Sequence, residues 1–580
     1  MSEPTLVQLT EAARAWQQAD PDPSTRAEID ALLAEGDPVV LRECFGQRLQ
    51  FGTAGIRGRM GPGPGQLNRA LIRQVTGGLG RYLLREVQGA GERGVVVGFD
   101  GRHNSRVFAQ DAARVLAGLG LRVHLFDDVV PTPVLAHAVT FLRAAGGVMV
   151  TASHNPPADN GYKVYWENGA QIIAPHDAGI SSEIDAVGSP DGVDAPPLTP
   201  LVEAGRVGPV PGDAFNDYER KVLALRVHSD TGALAVYSAM HGVGYASLVR
   251  VLSGAGHQPV ASVREQQEPD GDFPTVSFPN PEEPGALDRA VSLATARGAD
   301  VVLAHDPDAD RLAVAIPDGR GGWQKLTGNE VGVLLADDLL THGDWRGGTP
   351  MVATTIVSTS LLGRIAEAHG AVLAETLTGF KWIANAALAH DGPFVLGFEE
   401  ALGYSAGAVV RDKDGVSTAM LFLDLVSWCK ARGVSLRSHL AALYRRYGYA
   451  ASAQHSIKRP GLEGADEIRA IMAGLRAEPP ASLGGRAVRR IRDIQTGEAR
   501  TLATGATAPI HLPRSNVLAF DLEGGCRVLA RPSGTEPKLK FYFEATEQLS
   551  DGEPLAQARA RAEAVITALE ADLLERLGLA

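Results

Sequence analysis

Asp306-Pro-Asp-Ala-Asp-Arg311 places three carboxylates at alternate positions directly after the apolar run Ala299-Asp-Val-Val-Leu-Ala304. On an extended segment side chains alternate with a period of two, so Asp306, Asp308 and Asp310 would share one side. Their mutual repulsion calls for a hard cation. An EF-hand loop would need glycine at its sixth position and glutamate at its twelfth; Arg311 and Pro317 stand there, which disfavours calcium-sensor chemistry. Magnesium beside a phosphate oxygen fits better. A plain solvated acidic turn would use the same residues.

The second group is Thr151-Ala-Ser-His-Asn-Pro-Pro157, which follows the buried-strand pattern Gly147-Val-Met-Val-Thr151. Asn155, Pro156 and Pro157 extend neither a ladder nor a helix, so Ser153 is expected on a loop at the carboxyl end of a strand, displayed rather than packed. No Gly-x-Ser-x-Gly elbow surrounds it, which argues against a hydrolase triad. Adjacent side chains on an extended loop point apart, so His154 is expected to make a structural hydrogen bond or a phosphate contact rather than to activate Ser153. Lys163 is either a surface lysine or an acid or base, its strand lying a short turn from Ser153. Arg531, Ser533, Gly534 and Thr535 combine a guanidinium fork, two hydroxyls and flexible backbone, a plain turn or a cradle for a phosphate dianion, with Lys538 and Lys540 adjoining. Glu399 and Glu400 form a strand-end pair or accept hydrogen bonds from sugar hydroxyls.

These groups need a large scaffold. A chain of 580 residues exceeds what one core organises and implies roughly four domains. Its 44% hydrophobic and 21% charged content is that of a globular protein, with no apolar segment near the length of a membrane span, so no membrane association is expected. The N-terminus lacks a secretory pattern, which makes the cytoplasm the default address. Cys44, Cys429 and Cys526 are too scattered for a disulfide framework or a thiolate metal site and read as reduced core residues. A net charge of -13 without a basic run opposes nucleic-acid binding.

After a helical preamble to about residue 50, Gly94–Asp100 reads as a strand, Ser105–Leu119 as an amphipathic helix, Leu121–Phe126 as a strand and Pro131 as the start of another helix, a βαβ rhythm that leads to the Ser153 loop. Gly61-Pro-Gly-Pro-Gly65 reads as a turn, not a nucleotide loop. A linker rich in Pro, Gly and Asp spans about 188–213. The rhythm returns at Leu234–Ser238, with a helix near Tyr245–Gly254 and a strand at Pro259–Val263, and delivers the Asp306 loop. A third unit runs from Met351 through a helix at Leu361–His369, the strand Ala371–Glu375 and Thr378-Gly-Phe-Lys381 at a helix start, to Phe394–Glu400. From about 450 short strands and a long helix at Leu555–Leu577 indicate a separate α+β domain. The expected boundaries are 1–213, 214–326, 327–449 and 450–580. In open α/β sheets ligands gather at the carboxyl ends of strands, where the marked loops all fall.

Taken in order, Gly52-Thr-Ala-Gly-Ile-Arg57, Thr151-Ala-Ser-His-Asn-Pro156, Asp306-Pro-Asp-Ala-Asp310, Phe398-Glu-Glu400 and Arg531-Pro-Ser-Gly-Thr535 resemble the α-D-phosphohexomutase superfamily over nearly the whole chain. The resemblance implies three similar doubly wound α/β domains plus a C-terminal α+β domain around a central cleft, a magnesium requirement and a phosphoserine enzyme. It assigns phosphorylation to Ser153, which with Asp306, Asp308 and Asp310 would hold magnesium. Arg57 and Lys163 would flank the transferring group, with His154 beside it, and Lys413 in Arg411-Asp-Lys-Asp-Gly415 would act as general acid or base. Arg311, Thr378, Gly379, Lys381 and Glu399 would face the sugar or lie near it, and Arg531, Ser533, Gly534 and Thr535 would hold the nonreacting phosphate. The proton acceptor is expected to be a lysine whose pKa the site lowers.

The implied activity is interconversion of glucose 1-phosphate and glucose 6-phosphate through a bound glucose 1,6-bisphosphate, which also serves as activator. Phosphopentomutase is the alternative, followed by phosphomannomutase and sugar bisphosphate synthase. Ala401 stands where hexose mutases commonly carry serine, a variant similar to the long branch that holds bacterial α-phosphoglucomutases and phosphopentomutases. The expected partner is a small phosphosugar alone, and the expected state a monomer or weak dimer.

Overall fold

The computed structural model describes residues 4–53, 55–459, 461–533 and 538–579, without the side chains of 461–463. The chain divides into two compact units, Met1–Gly328 with Ala401–Gly433, and Asn329–Glu400 with Val434–Ala580.

The first unit begins with helices Leu6–Ala19, Pro23–Glu35 and Pro38–Phe45, whose Leu9, Ala13, Ile29, Leu41, Cys44 and Phe45 form a small core of their own. A six-stranded sheet follows in the order Ile56–Arg59, Asp159–Trp166, Gly146–Val150, Val95–Phe99, Val123–Leu125, Val207–Pro209. Its last four strands run parallel, while Asp159–Trp166 is antiparallel to Gly146–Val150, and Ile56–Arg59 antiparallel to Asp159–Trp166. Val95, Val97, Val148 and Val150 fill one face against helices Arg69–Glu86 and Ser105–Gly118. Such continuous valine-rich runs suit strands buried on both faces.

The second sheet of this unit repeats the plan in the order Trp323–Lys325, Leu312–Pro317, Val301–His305, Ala235–Ser238, Ala261–Ser262. The last three strands are parallel, and Leu312–Pro317 turns back antiparallel to Val301–His305. The Ser153 and Asp306 loops therefore occupy equivalent places: each joins a central parallel strand to the antiparallel strand beside it. Helix Gly415–Ala431, from the returning segment, packs on helix Gly244–Gly254.

In the second unit Met351–Thr355 lies between Val372–Thr376 and Phe394–Glu399, all parallel. Residues from 449 onward form an antiparallel sheet in the order Tyr449–Lys458, Lys538–Glu547, Arg527–Pro532, Leu518–Leu522, Arg486–Asp493, Glu498–Thr501, Thr507–Pro509, with helix Leu555–Arg576 against the first two strands.

Two sequence expectations change. The 188–213 segment is more than a linker: it contributes helix Leu198–Glu203 and the sheet-edge strand Val207–Pro209. The strand expected over Pro259–Val263 shortens to Ala261–Ser262, since proline donates no ladder hydrogen bond. The three cysteines are buried, as a core reading of them expects.

Candidate active site

Ser153 has a φ of 54°, in the left-handed region that a side chain with a Cβ seldom adopts. Its backbone N–H donates to Thr151 Oγ1 at 2.8 Å. Arg102, buried, holds the loop from below: Nη2 donates to the carbonyls of Ser153 and Asn155 at 2.7 and 2.5 Å, and Nη1 to those of Pro156 and Asp159 at 2.9 and 3.2 Å. Arg57, on the strand paired with Asp159–Trp166, donates from Nη1 to Asn155 Oδ1 at 3.0 Å.

Ser153 Oγ donates to Asp306 Oδ2 at 2.7 Å. Asp306, Asp308 and Asp310 are fully buried, with one oxygen of each within 4.8 Å of the others. They do not converge through strand alternation as expected. Residues 306–310 form a turn, with Ala309 at a φ of 56°, and the turn gathers the carboxylates. Two glycines allow its neighbours to close on it: a Cβ on Gly242 would lie 2.4 Å from the Pro307 backbone, and one on Gly415 2.5 Å from the Arg311 carbonyl.

Cations surround the triad. Lys163 Nζ lies 2.6 Å from Asp308 Oδ2 and 2.8 Å from Asp310 Oδ2, Lys413 Nζ lies 2.7 Å from Asp310 Oδ2, and the Arg311 N–H donates to Asp306 Oδ1 at 3.0 Å. Thr132 Oγ1 donates to Asp308 Oδ2 at 2.6 Å. Asp308 Oδ1 and Asp310 Oδ1 are buried without a hydrogen-bond partner among the described residues. Unmatched carboxylate lone pairs at that depth suit a hard, oxygen-seeking cation.

Burial raises all three carboxyls. At Asp308 and Asp310 the lysines overcome it and hold both below the ordinary value, whereas Asp306, facing the other two, is pushed well above it. The expected lowered lysine pKa is overturned in this state. Burial would lower Lys163 and Lys413, but the carboxylates outweigh it and both lie above the ordinary lysine value. Nor do Ser153 and His154 point apart: with Ser153 left-handed, its Oγ lies 3.2 Å from His154 Nδ1. Burial, then the guanidinium groups of Arg311 and Arg57, hold His154 well below its usual value, so the ring is neutral.

Lys413 is placed by a densely bonded segment. Asp412 accepts from Tyr165 OH at 2.7 Å, from Gln171 Nε2 at 2.8 Å and from the Lys413 N–H at 2.8 Å. Asp414 caps helix Gly415–Ala431 and accepts from Tyr218 OH at 2.8 Å.

In the second unit Glu399 ends its strand and its Oε1 accepts from the Gly379 N–H at 2.7 Å. Thr378 and Gly379 precede helix Phe380–Leu388, and Lys381 Nζ sits 5.8 Å from the Trp382 ring centroid. Glu400 accepts from Ser358 Oγ at 2.8 Å. Arg531 lies near the end of strand Arg527–Pro532, opposite Lys540, and the Ser533 N–H donates to the Lys538 carbonyl at 2.7 Å. Gly534 and Thr535 lie outside the described residues.

Sequence reasoning missed Arg102, Thr132 and Asp412. Only Arg102 left a local signal, two residues beyond Asp100 at the end of a buried strand.

Four consecutive family models match the chain: phosphoglucomutase/phosphomannomutase α/β/α domain I over residues 48–190, domain II over 216–320, domain III over 327–447 and the C-terminal domain over 467–570. A probable phosphomannomutase of Haemophilus influenzae is 42% identical over 83% of this chain and 93% of its own. The phosphopentomutase of Homo sapiens is 37% identical over 97% of this chain and 95% of its own, and the human glucose 1,6-bisphosphate synthase 36% identical over 93% and 90%. Among solved structures, the phosphoglucomutase pp63/parafusin of Paramecium shares the fold with a TM-score of 0.67 at 17% identity, covering 92% of this chain and 96% of that one. With relatives matched over nearly their full lengths and all four domain models found in order, the chain belongs to the phosphoglucomutase/phosphomannomutase family of phosphosugar mutases.

Proposed function

We propose that this enzyme is a magnesium-dependent phosphopentomutase that interconverts a pentose 1-phosphate and the 5-phosphate through phosphorylated Ser153. The observation that carries the mutase chemistry is the contact of Ser153 Oγ with Asp306 Oδ2 at 2.7 Å. It puts the candidate nucleophile beside a triad fit for a cation. The pentose preference rests on the human phosphopentomutase and on a probable phosphoribomutase of Schizosaccharomyces pombe, 38% identical over 92% of this chain. The glucose reading of the sequence has weaker support, because the phosphoglucomutase described above resembles the chain in fold alone. A hexose reading keeps one observation in its favour, the 42% identity to a probable phosphomannomutase.

In the proposed reaction the bond between phosphorus and Ser153 Oγ breaks as one forms to the free hydroxyl oxygen of the bound sugar phosphate. That hydroxyl loses its proton to solvent as the released Ser153 Oγ takes one up, and the exchange reverses in the return transfer. The sugar bisphosphate turns over, and its other phosphoryl group returns to Ser153. Such transfers depend on alignment and charge neutralisation. Magnesium held by Asp306, Asp308 and Asp310 would supply neutralisation. Lys163 and Lys413, kept as cations, add to it, and His154 Nδ1, 3.2 Å from Ser153 Oγ, lies beside the oxygen that is released in the first transfer and phosphorylated again in the second. Arg57 orients the loop through Asn155. Arg311 lies beside Asp306; Glu399, Lys381, Gly379 and Thr378 are assigned to the sugar, and Arg531, Ser533, Gly534 and Thr535 to the second phosphate. We place the four domains at residues 1–213, 214–326, 327–449 and 450–580.

Initial rates on ribose 1-phosphate, mannose 1-phosphate and glucose 1-phosphate, each with magnesium and a trace of the matching bisphosphate as activator, test the substrate. Faster turnover of either hexose refutes the pentose assignment. Ser153→Ala should abolish turnover while the protein stays folded, and full activity in that variant refutes the phosphoserine route. Accumulation of bisphosphate from a separate phosphoryl donor would instead identify a synthase.

A further inference from the structure

The first domain carries a second concentration of positive charge that the mutase chemistry does not use. Arg69, Arg73 and Arg114 converge on a single buried carboxylate, Asp111. Arg69 donates to it from Nε at 2.6 Å and Nη2 at 3.2 Å, Arg73 from Nη2 at 2.8 Å and Nε at 3.1 Å, and Arg114 from Nη1 at 3.1 Å. Asp22, 3.9 Å from Arg69 Nη1, is the other carboxylate paired with these arginines among the described residues. Asp20 also bears on Arg69, so the buried Asp111 is the carboxylate bonded by all three guanidinium groups while Asp22 and Asp20 lie toward Arg69.

The placement works against local helix energetics. Arg69 is the first residue of helix Arg69–Glu86 and Arg73 lies in its second turn, near the positive end of the macrodipole. Burial, and then the neighbouring charge of Arg73, hold Arg114 below the ordinary arginine value. Arg69 and Arg114 line a cavity of about 270 Å³ together with Asp111, Gln110, Val107 and Leu198, with Pro197 at its edge. Leu198 and Pro197 come from the 188–213 segment, whose Ala195 and Pro196 carbonyls accept from Arg114 Nη2 and Nε at 2.5 and 2.7 Å. The same segment therefore fixes Arg114 and walls the cavity.

We propose that this cavity binds a small phosphate dianion, either inorganic phosphate or the phosphate end of a sugar monophosphate, at a site separate from the Ser153 loop. Planar guanidinium forks suit phosphate oxygens, and the space admits a phosphate with little more than a small sugar attached. The proposal does not rest on the pentose assignment or on phosphorylation of Ser153.

Calorimetric titration of the full chain with inorganic phosphate tests it, comparing wild type with Gln110→Glu and with Val107→Trp. The first puts a carboxylate in the cavity and the second fills it, and neither removes an arginine. Wild type should bind one more phosphate per chain than either variant, or bind that equivalent on the order of a hundredfold more tightly, with KM for the sugar phosphate unchanged. Displacement of this equivalent by ribose 5-phosphate would identify the monoester as ligand, and its persistence would identify inorganic phosphate. Equal stoichiometry and affinity in all three proteins would overturn the proposal and leave the arginines as a staple. If one variant fails to fold, the other gives the same comparison.

Discussion

Replacing Arg102 should separate the placement of Ser153 from its chemistry. The guanidinium donates to four loop carbonyls, and its Nε lies 3.5 Å from Asp100 Oδ2, a buried oxygen without a hydrogen-bond partner among the described residues. Hydrogen bonds from a charged donor contribute about 1.5–3 kcal/mol each, but the carbonyls of Asn155, Pro156 and Asp159 belong to partly exposed residues that water can serve. Only the Ser153 carbonyl is fully desolvated in its contact. Arg102→Ala would also strand Asp100, and breaking a buried ion pair costs about 3–5 kcal/mol. The sum is about 5–8 kcal/mol, a large part of an ordinary domain's stability. The informative variant is therefore Arg102→Lys, which keeps the charge beside Asp100 but cannot span four acceptors from one ammonium. It should lower stability by about 1–2 kcal/mol in urea unfolding. With the clamp on its carbonyl weakened, the left-handed Ser153 backbone would relax, and kcat should fall about tenfold or more because a displacement near 1 Å suffices. KM should change little. A destabilised Arg102→Lys protein with wild-type kcat would refute the clamp.

Lys163→Met leaves Asp308 and Asp310 without their shared cation and should destabilise the magnesium-free protein by about 3–5 kcal/mol; added magnesium should raise its melting temperature more than that of wild type, and an equal rise would count against the exchange of one cation for another. Asp308→Asn should raise the magnesium concentration for half-maximal activity about tenfold or more, read from rates across a metal titration after chelation, and an unchanged midpoint would remove Asp308 from the metal site. Partial burial would raise Asp217, but Lys221, Arg220 and His137 hold its carboxyl at about 2. Its folded value lies below the unfolded one, so the stabilisation is present in full above the ordinary carboxylate pKa and is lost as pH falls toward 2. Asp217→Asn should flatten the urea midpoint over that interval, and an unaltered pH profile would show that the cluster contributes nothing.

The sequence displays the Ser153 and Asp306 loops because each follows a buried parallel strand, and a run such as Gly147-Val-Met-Val can be read without knowing its neighbours. What lies across from a loop cannot be read that way. Read alone, Lys163 stays open between a surface lysine and an acid or base, because the pairing that buries it joins residues 145 and 147 positions away, Asp308 and Asp310. The period-two argument gathered the correct three aspartates for the wrong reason, since a turn through Ala309 brings them together. The lysine pKa was misjudged in sign because its nearest charges are carboxylates from another domain, not the cations nearby in sequence. Asp412 left no signal for the same reason, and Arg102 none beyond its place after a buried strand: their partners lie more than 240 and about 50 residues away.

The equivalence of the two loops gives the site its logic. In each α/β domain of the first unit a central parallel strand feeds an antiparallel return, and the connection holds a residue in the left-handed region, Ser153 at 54° and Ala309 at 56°. Such conformations cost about 1–3 kcal/mol and persist only where surroundings fix them. Arg102 does so for the first loop. For the second, Asp306 Oδ1 accepts from the Arg311 N–H, and the Ala309 N–H donates to the Asp306 carbonyl at 2.9 Å. One local device thus presents a hydroxyl in one domain and a carboxylate cluster in the next, and the Ser153 Oγ to Asp306 Oδ2 bond joins their tips. Loss of strain relief at either loop should therefore be felt at both, which makes Arg102→Lys and Asp306→Asn non-additive in kcat, whereas substitutions at distant, unconnected sites add.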